Sequence, residues 1–167
     1  MADEIAFFAA TRLLALYRGK RLSPVEVIEE TLRRIERYET ATNAFVLFDP
    51  EAAVGMARAS EARWQRGEPQ GLLDGVPVAL KDTVLTRGWP RLLGSRTIDP
   101  NQPWTEDAPV PARLRAEGAV CFGKTTVLVP LSSFQTSPLL TKFFRLFFLR
   151  SSSLFAVCLK LCFPFFN

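Results

Sequence analysis

The sequence predicts an α/β fold, with N-terminal helices followed by a partial mixed or parallel sheet that carries helices on its faces. Three observations lead there. Apolar residues recur at helical spacing through the first forty positions. Two short apolar runs, 76–80 and 119–122, are each bounded by turn residues. Between them lies a helical stretch, and a strand–helix–strand succession implies parallel strands joined by a right-handed crossover.

The first helix is expected to be capped by Asp3, with Ile5, Phe8, Ala9, Leu13, Leu16 and Tyr17 on its apolar side and Gly19 at its end. The second has a fuller signature: Ser23 as cap, Pro24 at the first helical position and Glu26 closing a capping box. Val25, Ile28, Leu32, Ile35 and Tyr38 then form a buried stripe, and Glu29, Glu30, Arg33, Arg34 and Glu36 largely a wet face. Because acids and bases are mixed on that face, it reads as a solvated surface and not as a nucleic-acid site. Ala44 to Phe48 is a short strand. Asp49-Pro50 opens an alanine-rich helix through Arg66, stopped by Gly67, whose small residues allow close packing.

The stretch Gly71-Leu72-Leu73-Asp74-Gly75-Val76-Pro77-Val78-Ala79-Leu80-Lys81-Asp82 is a turn, a buried strand and an abrupt charged end. A lysine at the carboxyl end of a strand stands where open α/β sheets hold their chemistry. It also reads as a lysine snorkelling from a core strand with Asp82 as its salt-bridge partner. Residues 83–106, punctuated by glycine and proline, form a long irregular loop. Its Trp89 and Trp104 line an entrance or pack onto the sheet. A helix from Asp107 to Glu117 ends at Gly118, and Ala119 to Phe122 is the next strand.

The chain of 167 residues divides into two compositions. Residues 1–127 carry 17 basic and 17 acidic side chains; residues 128–167 carry Lys142, Arg145, Arg150 and Lys160, no acid, no glycine and nine of the 14 phenylalanines. The sequence is therefore divided into a domain portion, 1–127, and a basic Phe/Leu/Ser-rich tail, 128–167. The four tail cations leave no uncharged run long enough to span a bilayer. An acidic start and three cysteines without a Cys-x-x-Cys pair point to a reducing cytoplasm. With no histidine in the chain, Ser-His-Asp and Cys-His mechanisms and His-ligated metals are excluded within it. No cofactor and no metal are expected.

Gly118 to Thr125 matches the phosphate-loop pattern G-x-x-x-x-G-K-S/T. That motif needs a loop entered from a strand and leading into a helix. Here Gly118 follows a helix, Ala119 to Phe122 reads as the strand itself, and Thr125-Thr126-Val127 starts a helix poorly. Nucleotide binding is rejected.

Residues 71–82 resemble the amidase signature family, whose members carry Gly-Pro-Leu-x-Gly-Ile/Val-Pro-Val/Ile-x-aliphatic-Lys-Asp, with Leu72 here in place of the usual proline. The similarity runs from about Ser23 to Thr126 and includes Asn43-Ala44-Phe45, Gly94-Ser95, Asp107-Ala108 and Gly118 to Thr125. It implies an incomplete amidase-signature fold and places Lys81 on the catalytic lysine of a serine–cis-serine–lysine triad. Such a triad hydrolyses the C–N bond of a small-molecule amide, with the neutral lysine as base. The family's two serines lie in glycine-rich segments that have no counterpart here: Ser151-Ser152-Ser153 lacks glycine, and Ser137-Pro138-Leu139 is only a faint echo. The expectation is a truncated, inactive amidase whose tail is frameshifted or unrelated. The alternatives are a fragment similar to the A subunit of glutamyl-tRNA(Gln) amidotransferase, or a non-catalytic interaction or membrane-peripheral remnant whose tail meets a lipid surface.

Overall fold

A computed structural model describes residues 5–127, so the expectations for Asp3 and for the tail 128–167 lie outside the described residues. In chain order the elements are α1 (Ala10–Arg18), α2 (Pro24–Thr42), β1 (Phe45–Phe48), α3 (Pro50–Arg66), β2 (Pro77–Lys81), α4 (Pro109–Ala116) and β3 (Val120–Thr125). The sheet has the order β1-β3-β2, with β3 antiparallel to β1 and parallel to β2. It is a mixed sheet with helices on both faces.

Why β3 takes the centre follows from its composition. Val120, Cys121 and Phe122 are all buried, as a strand covered on both faces requires. On one face Val120 and Phe122 pack with Ile28 and Leu32 of α2 and Ala53 and Ala57 of α3. Cys121 faces the other way and packs with Leu80, Ala119 and Leu114 of α4. A third cluster joins Leu13 and Tyr17 of α1 to Val27 of α2 and Trp64 of α3. Ala53 and Ala57 of α3 are fully buried, and their size lets that helix approach its neighbours closely.

The helix starts follow their caps. The Ser23 amide donates to Glu26 Oε2 (2.7 Å) and the Glu26 amide to Ser23 Oγ (3.1 Å), the reciprocal pair of a capping box. Asp49 Oδ1 accepts from the Ala52 amide (3.0 Å), and Gly67 ends α3 in the left-handed region at φ 76°. Two expectations need correction. The expected first helix is interrupted: Ile5 is helical, residues 6–9 break the run, and a separate helix begins at Ala10 after an extended Ala9 whose side chain supplies no cap. On α2, Tyr38 is exposed, its ring beside Arg34 and Arg37, whereas Val27 and Glu30 are buried. The reason is tertiary: α2 meets both α1 and the sheet, so its covered surface is wider than one stripe, and Glu30 is covered while paired with Arg33.

The turn before β2 is fastened to α3 by Asp74, which is fully buried. Its carboxylate accepts from Arg63 Nε (3.0 Å), Arg63 Nη2 (2.5 Å) and the Gln70 amide (2.9 Å), and its carbonyl from Trp64 Nε1 (3.1 Å). Burial pushes the Asp74 carboxyl up, but the Arg63 guanidinium and the Gln70 amide outweigh it and hold the group below its ordinary value. A carboxyl held low in the folded state contributes stability above its unfolded pKa, and loses it as pH falls through the folded one. Asp74→Asn should therefore lower stability at neutral pH by about 3 kcal/mol. In urea unfolding the wild type should converge on the variant as the solution is acidified; a gap independent of pH would refute the assignment.

Candidate active site

Side chains alternate along β2. Ala79 packs toward α2 and α3, Val78 and Leu80 toward α4. Lys81 comes next at the carboxyl end, exposed, and among the described residues its ammonium meets no hydrogen-bond or ion-pair partner. Its backbone is held from two directions. Lys81 stands in register with Thr125, the Asp82 amide donates to the Thr125 carbonyl (3.0 Å), and the Lys81 carbonyl accepts from the Val84 amide (2.9 Å).

Asp82 does not pair with Lys81, as the snorkelling reading required: Lys81 is exposed, whereas Asp82, in the turn just past β2, is buried. Its partner is Lys124. A register shift between Val78 and Ala79 sets Lys124 opposite Leu80, and this brings it onto the face of Asp82. Both side chains are buried, with Lys124 Nζ 3.5 Å from Asp82 Oδ1. Lys124 Nζ also donates to the Pro90 carbonyl (2.6 Å), and Asp82 Oδ1 accepts from the Leu92 amide (3.1 Å). Asp82 Oδ2 is buried with no partner among the described residues. Burial pushes the Lys124 ammonium below the ordinary lysine value; the Asp82 carboxylate opposes that shift and the nearby Arg91 guanidinium adds to it.

The long loop 83–106 leaves this strand end. Trp89 packs against the Leu80–Leu114 cluster and so serves the core, while Trp104 Nε1 donates to the Pro100 carbonyl (3.1 Å) within the loop. A cavity of about 340 Å³ lined by Tyr17, Lys20, Glu61 and Trp64 is elsewhere. Tyr17 and Trp64 bond the backbone of Gly75 and Asp74, ahead of β2, and the strand carries Lys81 about 13 Å further on.

The sequence singled out Lys81 from its place at the strand end, and Lys124 only as part of a phosphate-loop pattern. The structure accounts for that pattern without a phosphate. Gly118 turns at φ 78°, where a Cβ would stand 2.7 Å from Asp74 Oδ1, and a Cβ on Gly123 would stand 2.6 Å from the Leu47 carbonyl. Val120 to Phe122 lie in β3 beside β2, the Ala119 amide donates to the Leu114 carbonyl (2.9 Å), and the strand, expected over 119–122, runs on to Thr125, with β1 joining it from Gly123.

A mixed sheet with helices on both faces and a lysine at the carboxyl end of a parallel strand defines an α/β domain with its polar residues gathered where such sheets hold their sites. The comparisons narrow the class. The family model described as Amidase matches residues 26–142. This chain belongs to the amidase signature family. It is 40% identical over 122 residues to a Mycobacterium tuberculosis protein carrying the amidase name AmiD, covering 73% of this chain and 26% of that one. It is 41% identical over 116 residues to the A subunit of the mitochondrial glutamyl-tRNA(Gln) amidotransferase of Ixodes scapularis, covering 69% and 22%. Among solved structures, a bacterial aryl acylamidase of the amidase signature enzymes superposes with a TM-score of 0.67 at 31% identity, covering 72% of this chain and 25% of that one. The chain thus spans about a quarter of the length of the curated relatives it matches.

Because the amides between Gly118 and Lys124 are not arranged as a loop around an anion, the chain should not bind ATP. Equilibrium dialysis with labelled ATP and magnesium checks this, and micromolar binding would overturn it.

Proposed function

We propose that this chain supplies the base of an amide hydrolase, with Lys81 as the lysine of a serine–cis-serine–lysine triad. The observation that supports the reading best is the position of Lys81, the last ladder residue of a strand parallel to β3, exposed in a chain of the amidase family. In this chemistry the neutral amine draws a proton, through a bridging serine, from the serine that attacks the amide carbonyl. The tetrahedral intermediate collapses, the C–N bond breaks, and the same proton passes to the leaving amine. Water then releases the acyl group. The substrate is a small-molecule amide, no cofactor or nucleic acid takes part, and the setting is cytoplasmic.

Both serines must come from segments with glycine-rich turns, and Ser151-Ser152-Ser153 has none beside it. We therefore read residues 1–127 as part of an amidase domain and 128–167 as a tail that does not complete the site. The family match continues to residue 142, so it is the remainder of the tail that is least like the family. A second reading, a portion of an amidotransferase of the tRNA-dependent kind, is favoured by a specific observation: the Ixodes scapularis relative is as similar as the AmiD protein.

The purified chain, by itself, should release no ammonia from propionamide, benzamide or glutamine above background. Loss of the nucleophile from a catalytic serine unit costs about six orders of magnitude in turnover. Turnover that vanishes in Lys81→Ala would show that serines of this chain complete the site and would refute the inactive reading. Turnover that survives Lys81→Ala would refute the role of Lys81.

A further inference from the structure

The bonds of Lys124 and Asp82 reach into the loop that follows β2. Each makes one contact to backbone two residues apart: Lys124 Nζ to the Pro90 carbonyl and Asp82 Oδ1 to the Leu92 amide. The segment is thus tied down by one donor and one acceptor that are also joined to each other. Immediately before it, Trp89 packs on the α4 side of the sheet; beyond it Leu93 and Arg96 are exposed. Neither charge is placed where it simply adds to stability. Burying a pair costs solvation that its attraction only partly returns, and Asp82 Oδ2 is left without a partner among the described residues. Hydrophobic side chains would fill the same space without that cost, but they could not hold a carbonyl and an amide of one segment in fixed register.

We propose that Asp82 and Lys124 are positioning residues, a buried ion pair whose work is to fasten the Pro90–Leu92 segment to the strand end from which Lys81 emerges. The proposal rests on the Lys81 reading only for the importance of that place. Its readout is the position of the segment and not turnover, so either idea can fail without the other.

The experiment uses the full chain labelled with fluorotryptophan, with each fluorine resonance assigned by single Trp→Phe substitutions. Trp89 reports the fastened segment, and Trp64, bonded to the Asp74 carbonyl at the other end of β2, reports the rest of the fold. In Lys124→Met and in Asp82→Asn the Trp89 resonance should shift or broaden while that of Trp64 stays in place. Tryptic cleavage after Arg96 should quicken by about tenfold or more. Lys124→Arg, which keeps a cation and donors, should return both readings toward wild type. A Trp89 resonance and cleavage rate unchanged in Lys124→Met and Asp82→Asn would overturn the proposal. Trp64 and Trp89 changing together in both variants would overturn it too, because the pair would then hold the whole fold and not this segment.

Discussion

A parallel pair of strands cannot be closed by a hairpin, and the pairing of β2 with β3 imposes that constraint on everything around it. The chain must leave the carboxyl end of β2 and return to the amino end of β3. Residues 82–119 make that journey, and only Pro109–Ala116 of them is helix. The irregular part is therefore gathered at the carboxyl end of the sheet, where it fastens beside Lys81. The compact turn formers meet at the amino end, where the Gly75 amide donates to the Gly118 carbonyl (3.0 Å).

The two ends of β2 carry the same kind of interaction with opposite outcomes. At the amino end Asp74 is surrounded by donors, both carboxylate oxygens accept, and the arginine that pairs with it keeps part of its side chain in solvent. That arrangement satisfies a buried charge fully, and its effect is to fix the turn into the strand. At the carboxyl end Asp82 and Lys124 are both out of water, one carboxylate oxygen has no partner among the described residues, and a second cation, Arg91, stands near. Buried polar groups that are incompletely satisfied are costly in a low-dielectric interior. In an open α/β sheet the carboxyl ends are also where sites are built. The fully satisfied charge and the incompletely satisfied one thus stand at the two ends of one five-residue strand.

What the sequence disclosed, and what it withheld, follows from the range of each interaction. Caps are local: Ser23 with Glu26, and Asp49 with Ala52, are three residues apart, and both were legible from residue type and spacing. The place of Lys81 was legible because the apolar run before it is short and stops at a charge. The burial of Glu30 and the exposure of Tyr38 were not, because both depend on how α2 lies against two neighbours at once. The partner of Asp82 was hidden more deeply. Simple alternation along β3 sets Lys124 on the face of Phe122, and only the register shift opposite Val78 and Ala79 carries it to the other side. No periodicity in a single strand reports how it is paired.

The same strand shows why a string of letters does not determine a site. In a phosphate loop, the glycines permit backbone amides to converge on an anion and the lysine reaches the same charge. In this chain Gly118 is needed because the backbone turns through a left-handed conformation against Asp74, and Gly123 because β1 passes too close for a side chain. Lys124 stands where it meets the buried Asp82 carboxylate, just past the end of β2. Three unrelated placements, two of glycine and one of lysine, reproduce the spacing G-x-x-x-x-G-K without any ligand. Backbone conformation separates the two cases: the Ala119 amide is bonded to the Leu114 carbonyl and the Val120 amide to the Val76 carbonyl, and the residues after them run on as a strand, so the amides do not converge on a phosphate.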